Sequence, residues 1–366
     1  MLYMKTQSQK NNPYNQIRFI KKITLTGALV LLASALFLLP GCSLPQKSQN
    51  QEPLSVTAFK LNTVITITLY DSRDQKLLDK CLEMCGQYEK IFSRTSPDSE
   101  LYQLNHRELS PKEGTTDTYV LSEPLSELIS LGLHYSQESD GAFDIAIAPL
   151  TSLWDFTAED PEVPDPDDIS QAVSQCSYKN ISLKGREITF TDRTTALDLG
   201  AAAKGYIADH LKEYLVSENV HSATIDLGGN VLCIGNKPDG SPFHIGIQKP
   251  FADRSETIAV MDIEDKSVVS SGIYERCFEK DGVFYHHLLD PRTGYPFDND
   301  LISVTIICDS SANGDALSTT CFALGYEKGI AYAQSLENVQ AVFITADYQI
   351  HYTEGFREAI PVTETQ

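Results

Sequence analysis

At 366 residues, 42% of them hydrophobic, the chain is long enough to bury one large core or two modest ones, which excludes a disordered protein. The formal net charge is −21; the first 41 residues hold five Lys/Arg and no acid, leaving 24 basic against 50 acidic residues, a net of −26. A surface of that sign repels nucleic acid and anionic headgroups, so nucleic acid is excluded as a partner and an anionic small ligand needs a local positive device.

Arg18, Lys21 and Lys22 precede an apolar run from Ile23 to Leu39, which ends in LLPGCS. Seventeen residues are at the short limit for a bilayer span, so residues 1–41 read as an export signal and not as a transmembrane helix. Leu39-Pro40-Gly41-Cys42 resembles the lipobox of bacterial lipoproteins, although proline in its second place is unusual. That resemblance implies a lipidated Cys42 and an extracytoplasmic protein anchored to the bacterial cell membrane by its acyl chains. Residues 42–54 continue as a polar, proline-flanked linker, and a folded domain is expected over 55–360. Seven further cysteines show no CxxC or Cys/His zinc spacing and are expected to be mostly buried thiols.

Ile65, Ile67 and Leu69 alternate with threonines, the period of a half-buried strand. Leu77 to Phe92 and Leu125 to Tyr135 follow helical spacing, the second opened by Ser122 and Pro124. The proline- and acid-rich stretch from Phe156 to Ser170 is expected to be a surface excursion with no regular element.

The triplet Asp-Leu-Gly occurs twice, in ALDLGAAAKGYIAD (196–209) and TIDLGGNV (224–231). The first is expected to end a strand at Asp198 and open a helix; the second joins two strands. Such turns present free backbone amides to anions, and they are equally ordinary as tight connections where glycine is needed for space. Lys204 sits near the helix start, where the helix dipole disfavours a cation by about 0.3–1 kcal/mol. A bound anion would explain it, and so would a side chain turned out to solvent.

Asp281-Gly282 is a strong hairpin signal, and the returning strand continues into YHHLLDPRTGYP. Strand alternation places His286 and His287 on opposite faces, so only one can serve a given site. Pro291 stops the strand, and Asp290 can cap the turn that carries Arg292 and Thr293. Leu301 to Cys308 then read as an apolar strand, followed by a turn and a helix starting near Gly314 or Asp315. Asp315, Ser318 and Thr319 would share one face of that helix, three oxygens suited to a hard cation such as Mg2+. The same residues are also an ordinary acidic first turn.

The segments DLGAAAKGYIAD, IDLGGNV, HHLLDPRTGYP and GDALSTTCFALG, in that order, resemble the ApbE family of flavin transferases, the FAD:protein FMN transferases. The likeness runs from about Phe59 to Glu358 and includes FSRTSPDSELYQLN (92–105) and GAFDIAIAPLTSLW (141–154). It implies an α+β fold of mixed sheets with flanking helices in two closely packed parts. The implied activity is Mg2+-dependent transfer of FMN from FAD to a Ser or Thr hydroxyl of a target protein, with release of AMP. By the same resemblance, Asp315, Thr319, Ser318 and the Ala201 carbonyl hold Mg2+, and Leu61, Thr95, Ala142, Phe143, Asp144, Asp198, Lys204 and Leu289 contact FAD. His287 occupies the catalytic position. Expected acceptors are flavoprotein subunits such as those of Rnf or Na+-pumping NADH:quinone oxidoreductase. Hydrolysis of FAD to FMN and AMP, and a lipid-anchored protein that only binds flavin, remain open as alternatives. Two departures stand out: Leu61-Asn62-Thr63 replaces a Met-Gly-Thr, and Thr95 replaces a flavin-stacking aromatic, for which Tyr102 or Trp154 could substitute.

Overall fold

A computed structural model describes residues 52–253 and 255–365; the export signal, Cys42 and most of the linker lie outside them. Eight strands form the main sheet: β1 (Leu54–Lys60), β2 (Thr63–Leu69), β3 (Ala223–Leu227), β4 (Asn230–Ile234), β5 (Ser267–Gly272), β6 (Leu301–Cys308), β7 (Gln340–Thr345) and β8 (Ile350–Tyr352). They pair in chain order, each antiparallel to the next. Two three-stranded sheets and one hairpin complete the described strands, and these too are antiparallel. The α+β character thus lies in combining four sheets with helices, because successive strands are joined by hairpins or by excursions that return the chain to a neighbouring place. Glu52 onward forms one compact unit. Among the described residues, no helix is long and apolar enough to cross a membrane.

Both faces of the main sheet are covered, by different means. The larger core lies against helices α1 (Gln75–Phe92), α2 (Glu123–Glu138), α3 (Gly200–Ser217) and α4 (Ser311–Leu324). A second core packs the sheet against the strands Phe243–Gln248 and Thr257–Ile263. β6 is buried along its whole length, which explains its unbroken apolar run. Val304, Ile306 and Cys308 face the helices and Ile307 the small sheet, but Leu301 and Ile302 follow the opposite parity. A bulge between Leu301 and Ser303 accounts for the switch.

The alternating residues of β2 are fully buried, and α1 and α2 form where the periodicity placed them, with Asp74 and Ser122 as side-chain N-caps. Cys81, Cys85, Cys233, Cys308 and Cys321 are buried free thiols, and Cys176 and Cys277 are half-buried. Three expectations need correction. The excursion at 156–170 ends in a helix, Pro166–Gln175, because Asp165 caps it and Pro166 supplies a pre-set first residue. No strand precedes Asp198; the extended chain there bonds to the side-chain amide of Asn105, which gives its Nδ2–H to the Leu197 carbonyl and accepts the Leu197 N–H, both at 2.8 Å. Finally, α4 begins at Ser311, one turn earlier than expected, because Ser310 and Asp209 together satisfy its first N–H groups.

α3 and α4 approach most closely at Gly205, where an added Cβ would lie 2.1 Å from the Ser311 carbonyl oxygen. Backbone cannot move aside as a side chain can. Gly205→Ala is therefore expected to destabilise the fold by ~1–3 kcal/mol, read as a lower denaturant midpoint; an unchanged midpoint would show that the seam is looser than the structure has it.

Candidate active site

Asp315 sits in the second turn of α4 and is buried, so it is not the acidic first turn that the sequence left open. Its Oδ2 accepts the Gly205 N–H at 3.0 Å, and its Oδ1 lies 3.8 Å from Lys204 Nζ. An α-helix assigns the Gly205 N–H to the Ala201 carbonyl, so that donor is shared with or diverted to a carboxylate on the neighbouring helix. Lys204 is accordingly not a solvated lysine; it faces the one buried acid of α4. Ser318 donates to the Asp315 carbonyl at 2.9 Å.

Ser271, on β5, was not singled out in the sequence, yet its hydroxyl reaches both Ser318 Oγ (2.8 Å) and Thr319 Oγ1 (3.1 Å). A carboxylate, three hydroxyls and a helix carbonyl make an all-oxygen donor set. Among the described residues no three His, Cys, Asp or Glu side chains gather in a metal-holding group. One carboxylate plus neutral oxygens is the donor chemistry that a small hard cation accepts while it keeps part of its water, so Mg2+ fits these residues.

Asp209 is a second residue that sequence patterning passed over. From α3 it accepts the N–H groups of Ser311 (2.7 Å) and Ala312 (3.0 Å) and the Ser310 hydroxyl (2.9 Å). Burial raises its pKa, while these three donors work in the other direction. The carboxylate fixes the start of α4 and, through it, the position of Asp315.

Asp198 lies just before α3. Its Oδ1 accepts the Gly200 N–H at 2.9 Å, and its Oδ2 meets Arg94 Nε at 2.9 Å and the Thr151 hydroxyl at 2.8 Å. Arg94 also donates to the Thr151 carbonyl at 3.0 Å, so it ties the end of α1 to this turn. Ala142, Phe143 and Asp144 are buried beneath it. Burial pushes the Asp144 carboxyl up to about 6 against the pull of the Ala146 and Tyr178 N–H groups that it accepts. The Ile145 carbonyl in turn receives the Asp198 N–H at 2.8 Å. Thr95 is exposed beside this group. Neither proposed substitute for its ring is free: Tyr102 stacks on His106 at 3.8 Å, and Trp154 is buried among Phe156, Phe278, Tyr285 and Tyr295. Leu289 is buried in that same cluster.

The paired histidines separate as alternation requires. The strand Val283–His286 ends four residues short of Asp290, where Pro291 was expected to stop it; His286 is buried with its Nε2 3.2 Å from the Phe297 carbonyl. His287 donates its backbone N–H to the Arg276 carbonyl at 3.0 Å, and its ring Nδ1 is buried without a hydrogen-bond partner. Desolvation, then the positive charge of Arg276 and also that of Lys204, hold His287 down to about 3. Lys204 thus influences both Asp315 and His287. Asp290 caps the following turn through the Arg292 N–H at 2.9 Å, and Arg292 folds back on it through Nε at 3.0 Å. The structure therefore gathers Asp315, Ser271, Ser318, Thr319 and Lys204, with His287 within range of the Lys204 charge, while Asp198 and Asp144 form an adjoining group braced by Arg94.

A mixed frame that brings together a buried carboxylate, hydroxyls, a lysine and a sheltered neutral imidazole is that of a group-transfer enzyme. The model of the ApbE family matches residues 61–343. The chain is 37% identical over 298 residues to an FAD:protein FMN transferase of Klebsiella pneumoniae (strain 342), covering 81% of this chain and 90% of that protein. It is 31% identical to one from Treponema pallidum (strain Nichols), with 84% and 88% covered. The solved ApbE protein of Thermotoga maritima superposes with a TM-score of 0.74 at 29% identity, over 84% of this chain and 99% of that one. The apo flavinyl transferase ApbE of Pseudomonas stutzeri gives 0.71 at 29%, over 84% and 96%. This chain belongs to the ApbE family.

The two histidines work against the fold in acid, while Asp144, whose carboxyl is raised, works the other way. His286 is held down to about 4 and His287 to about 3, both by burial, so the fold keeps them neutral while the unfolded chain protonates near 6.5. Their contribution is complete above pH 6.5 and is lost as pH falls toward 4, with a slope of about 1.4 kcal/mol per pH unit for each. Urea midpoints measured from pH 7 to 4 should fall, and His286→Gln should make the fall shallower; an identical profile in the variant would remove His286 from the account.

Proposed function

We propose that this chain transfers FMN from FAD to a Ser or Thr hydroxyl of an extracytoplasmic protein, with Mg2+, and that it works tethered to the cell membrane through Cys42. The observation that carries the reading is the pairing of Lys204 with the buried Asp315, 3.8 Å apart, beside the linked hydroxyls of Ser271, Ser318 and Thr319. Asp315 and Thr319, with Ser318 beside them and the Ala201 carbonyl, would hold Mg2+, which supplies charge against the pyrophosphate when bound. Lys204, beside that cluster, would face the same anion. Phosphoryl-type transfer depends mainly on positioning and charge stabilisation, with a base to orient the attacking hydroxyl.

His287 is that base. Neutral at physiological pH, it offers a ring nitrogen to the acceptor hydroxyl. The hydroxyl oxygen bonds to the phosphorus on the FMN side while the bridging P–O bond breaks; the hydroxyl proton passes to His287, and AMP leaves. An arriving phosphate opposes the field of Arg276 and Lys204, which raises the basicity of His287 when substrate is bound.

Incubation with FAD, Mg2+ and the soluble flavin-carrying domain of an Rnf or Na+-pumping NADH:quinone oxidoreductase subunit is expected to give a covalently yellow acceptor and one AMP per label. AMP without label would make the chain an FAD pyrophosphatase, and neither product a flavin-binding protein. His287→Asn should lower labelling by at least ~100-fold with FAD still bound; undiminished labelling would take the base role from His287.

A further inference from the structure

We propose that Ser271 is a positioning residue of the cation site: it accepts the Thr319 O–H and so leaves the lone pairs of that hydroxyl to Mg2+. The proposal rests on the Mg2+ reading above. The directions of three hydrogen bonds carry it. Ser318 Oγ lies 2.9 Å from the Asp315 carbonyl, which can only accept, so the one proton of Ser318 is spent there. Ser271 Oγ stands 2.8 Å from Ser318 Oγ and therefore donates to it. Its own proton is then used, and the 3.1 Å contact with Thr319 Oγ1 leaves Thr319 as the donor. The order runs from Thr319 to Ser271 to Ser318 to the Asp315 carbonyl, and only in that direction does every contact hold a proton.

Two neighbouring arrangements show what is particular to this one. A helical threonine can turn its hydroxyl back onto the carbonyl one turn earlier, as Thr320 does to Ala316 at 2.8 Å. Thr319 instead bonds across to β5. Four residues earlier on β5, Ser267 joins the start of α4 in a similar chain: its hydroxyl donates to Ser311 at 2.9 Å, and Ser311 to the Asn230 side-chain oxygen at 2.7 Å. Those three residues are sealed from water, at 0–1% exposure, as suits a chain that serves packing. The Ser271 chain is sealed at Ser318, which is 0% exposed, but its outer end, Thr319, is only half-buried.

Mg2+ demands near-ideal octahedral geometry, so a hydroxyl serves it as a ligand only with its proton turned away from the metal. With that proton held by Ser271, Thr319 Oγ1 has both lone pairs to offer. Ser318 has one left and is fully buried, so it anchors the chain and is not a ligand. Ser271 thus acts on the cation through Thr319, from a strand 48 residues away in sequence.

The test is Mg2+ uptake by the protein without flavin, measured by titration calorimetry. Ser271→Ala should weaken Mg2+ binding about tenfold, the scale of losing a group that orients a metal ligand, whereas Ser271→Thr, which keeps the hydroxyl, should stay within about twofold. In a Thr319→Val background, Ser271→Ala should add less than about twofold, because the ligand that it orients is gone. An unchanged constant in Ser271→Ala, or an equal loss in Ser271→Thr, overturns the proposal. So does a loss of the same size that persists in the Thr319→Val background, which would make Ser271 a ligand in its own right. Should Ser271→Ala not fold, Ser271→Cys, whose thiol is a weak donor and acceptor, takes its place with the same expectation. Wild type that takes up no Mg2+, or Asp315→Asn that takes it up equally, overturns the Mg2+ reading itself, and the role of Ser271 with it.

Discussion

Two carboxylates cross the seam between α3 and α4 in opposite directions, and the site depends on that exchange. Asp209 leaves α3 to bind the first N–H groups of α4, while Asp315 leaves α4 to accept the Gly205 N–H of α3. Each helix therefore fixes the other's register at a point where Gly205 lets the backbones touch. A shift of one turn along the seam, about 5.4 Å, would separate Asp315 from Lys204 altogether. Burying two acids is costly unless donors surround them, and here the donors are backbone amides that no rotamer change can withdraw.

Charge is handled locally because the molecule as a whole works against it. The chain is strongly acidic, yet the candidate site places Lys204, Arg276 and Arg94 around two adjoining acid groups, and its histidine is uncharged. Lys204 lies close enough to Asp315 to offset its charge in the absence of other ions, so the buried carboxylate is not left unpaired. Beyond burial, the charges that depress His287 are those of Arg276, His286 and Lys204.

What could be read from the sequence divides along a physical line. Residues that act through periodicity or turn chemistry were legible: the buried face of β2, the Asp281-Gly282 hairpin with φ of +53° and +78°, and the opposite fates of His286 and His287. Asp315, Ser318 and Thr319 could be grouped because three and four residues make one helical face. Ser271 could not, since nothing in a strand of small residues announces which hydroxyl will meet a helix 47 residues away. Asp209 and Arg94 were invisible for the same reason; each acts on a backbone that is remote in sequence. The start of α4 was misplaced because its cap comes partly from another helix. The resemblance of four sequence motifs carried the family, which local rules could not, and the structure then supplied the brace.

The glycine missing from the β1–β2 turn shows how a backbone path survives a change of residue. Leu61 and Asn62 both have positive φ, +54° and +56°, as a two-residue hairpin turn of this hand requires. Asparagine tolerates that region because its short polar side chain can bond locally, so Asn62 can hold a place that glycine would fill freely. Leu61 has no such excuse, and its strain is met from outside: Glu89 of α1 accepts its N–H at 2.7 Å, and the seven paired residues of β1 and β2 leave the turn no other register. The next residue, Thr63, then lies so close to Gly228 that a Cβ there would stand 2.2 Å from its hydroxyl. The glycine that this corner needs is therefore the one in the second Asp-Leu-Gly turn, across the sheet, and the first hairpin can dispense with its own.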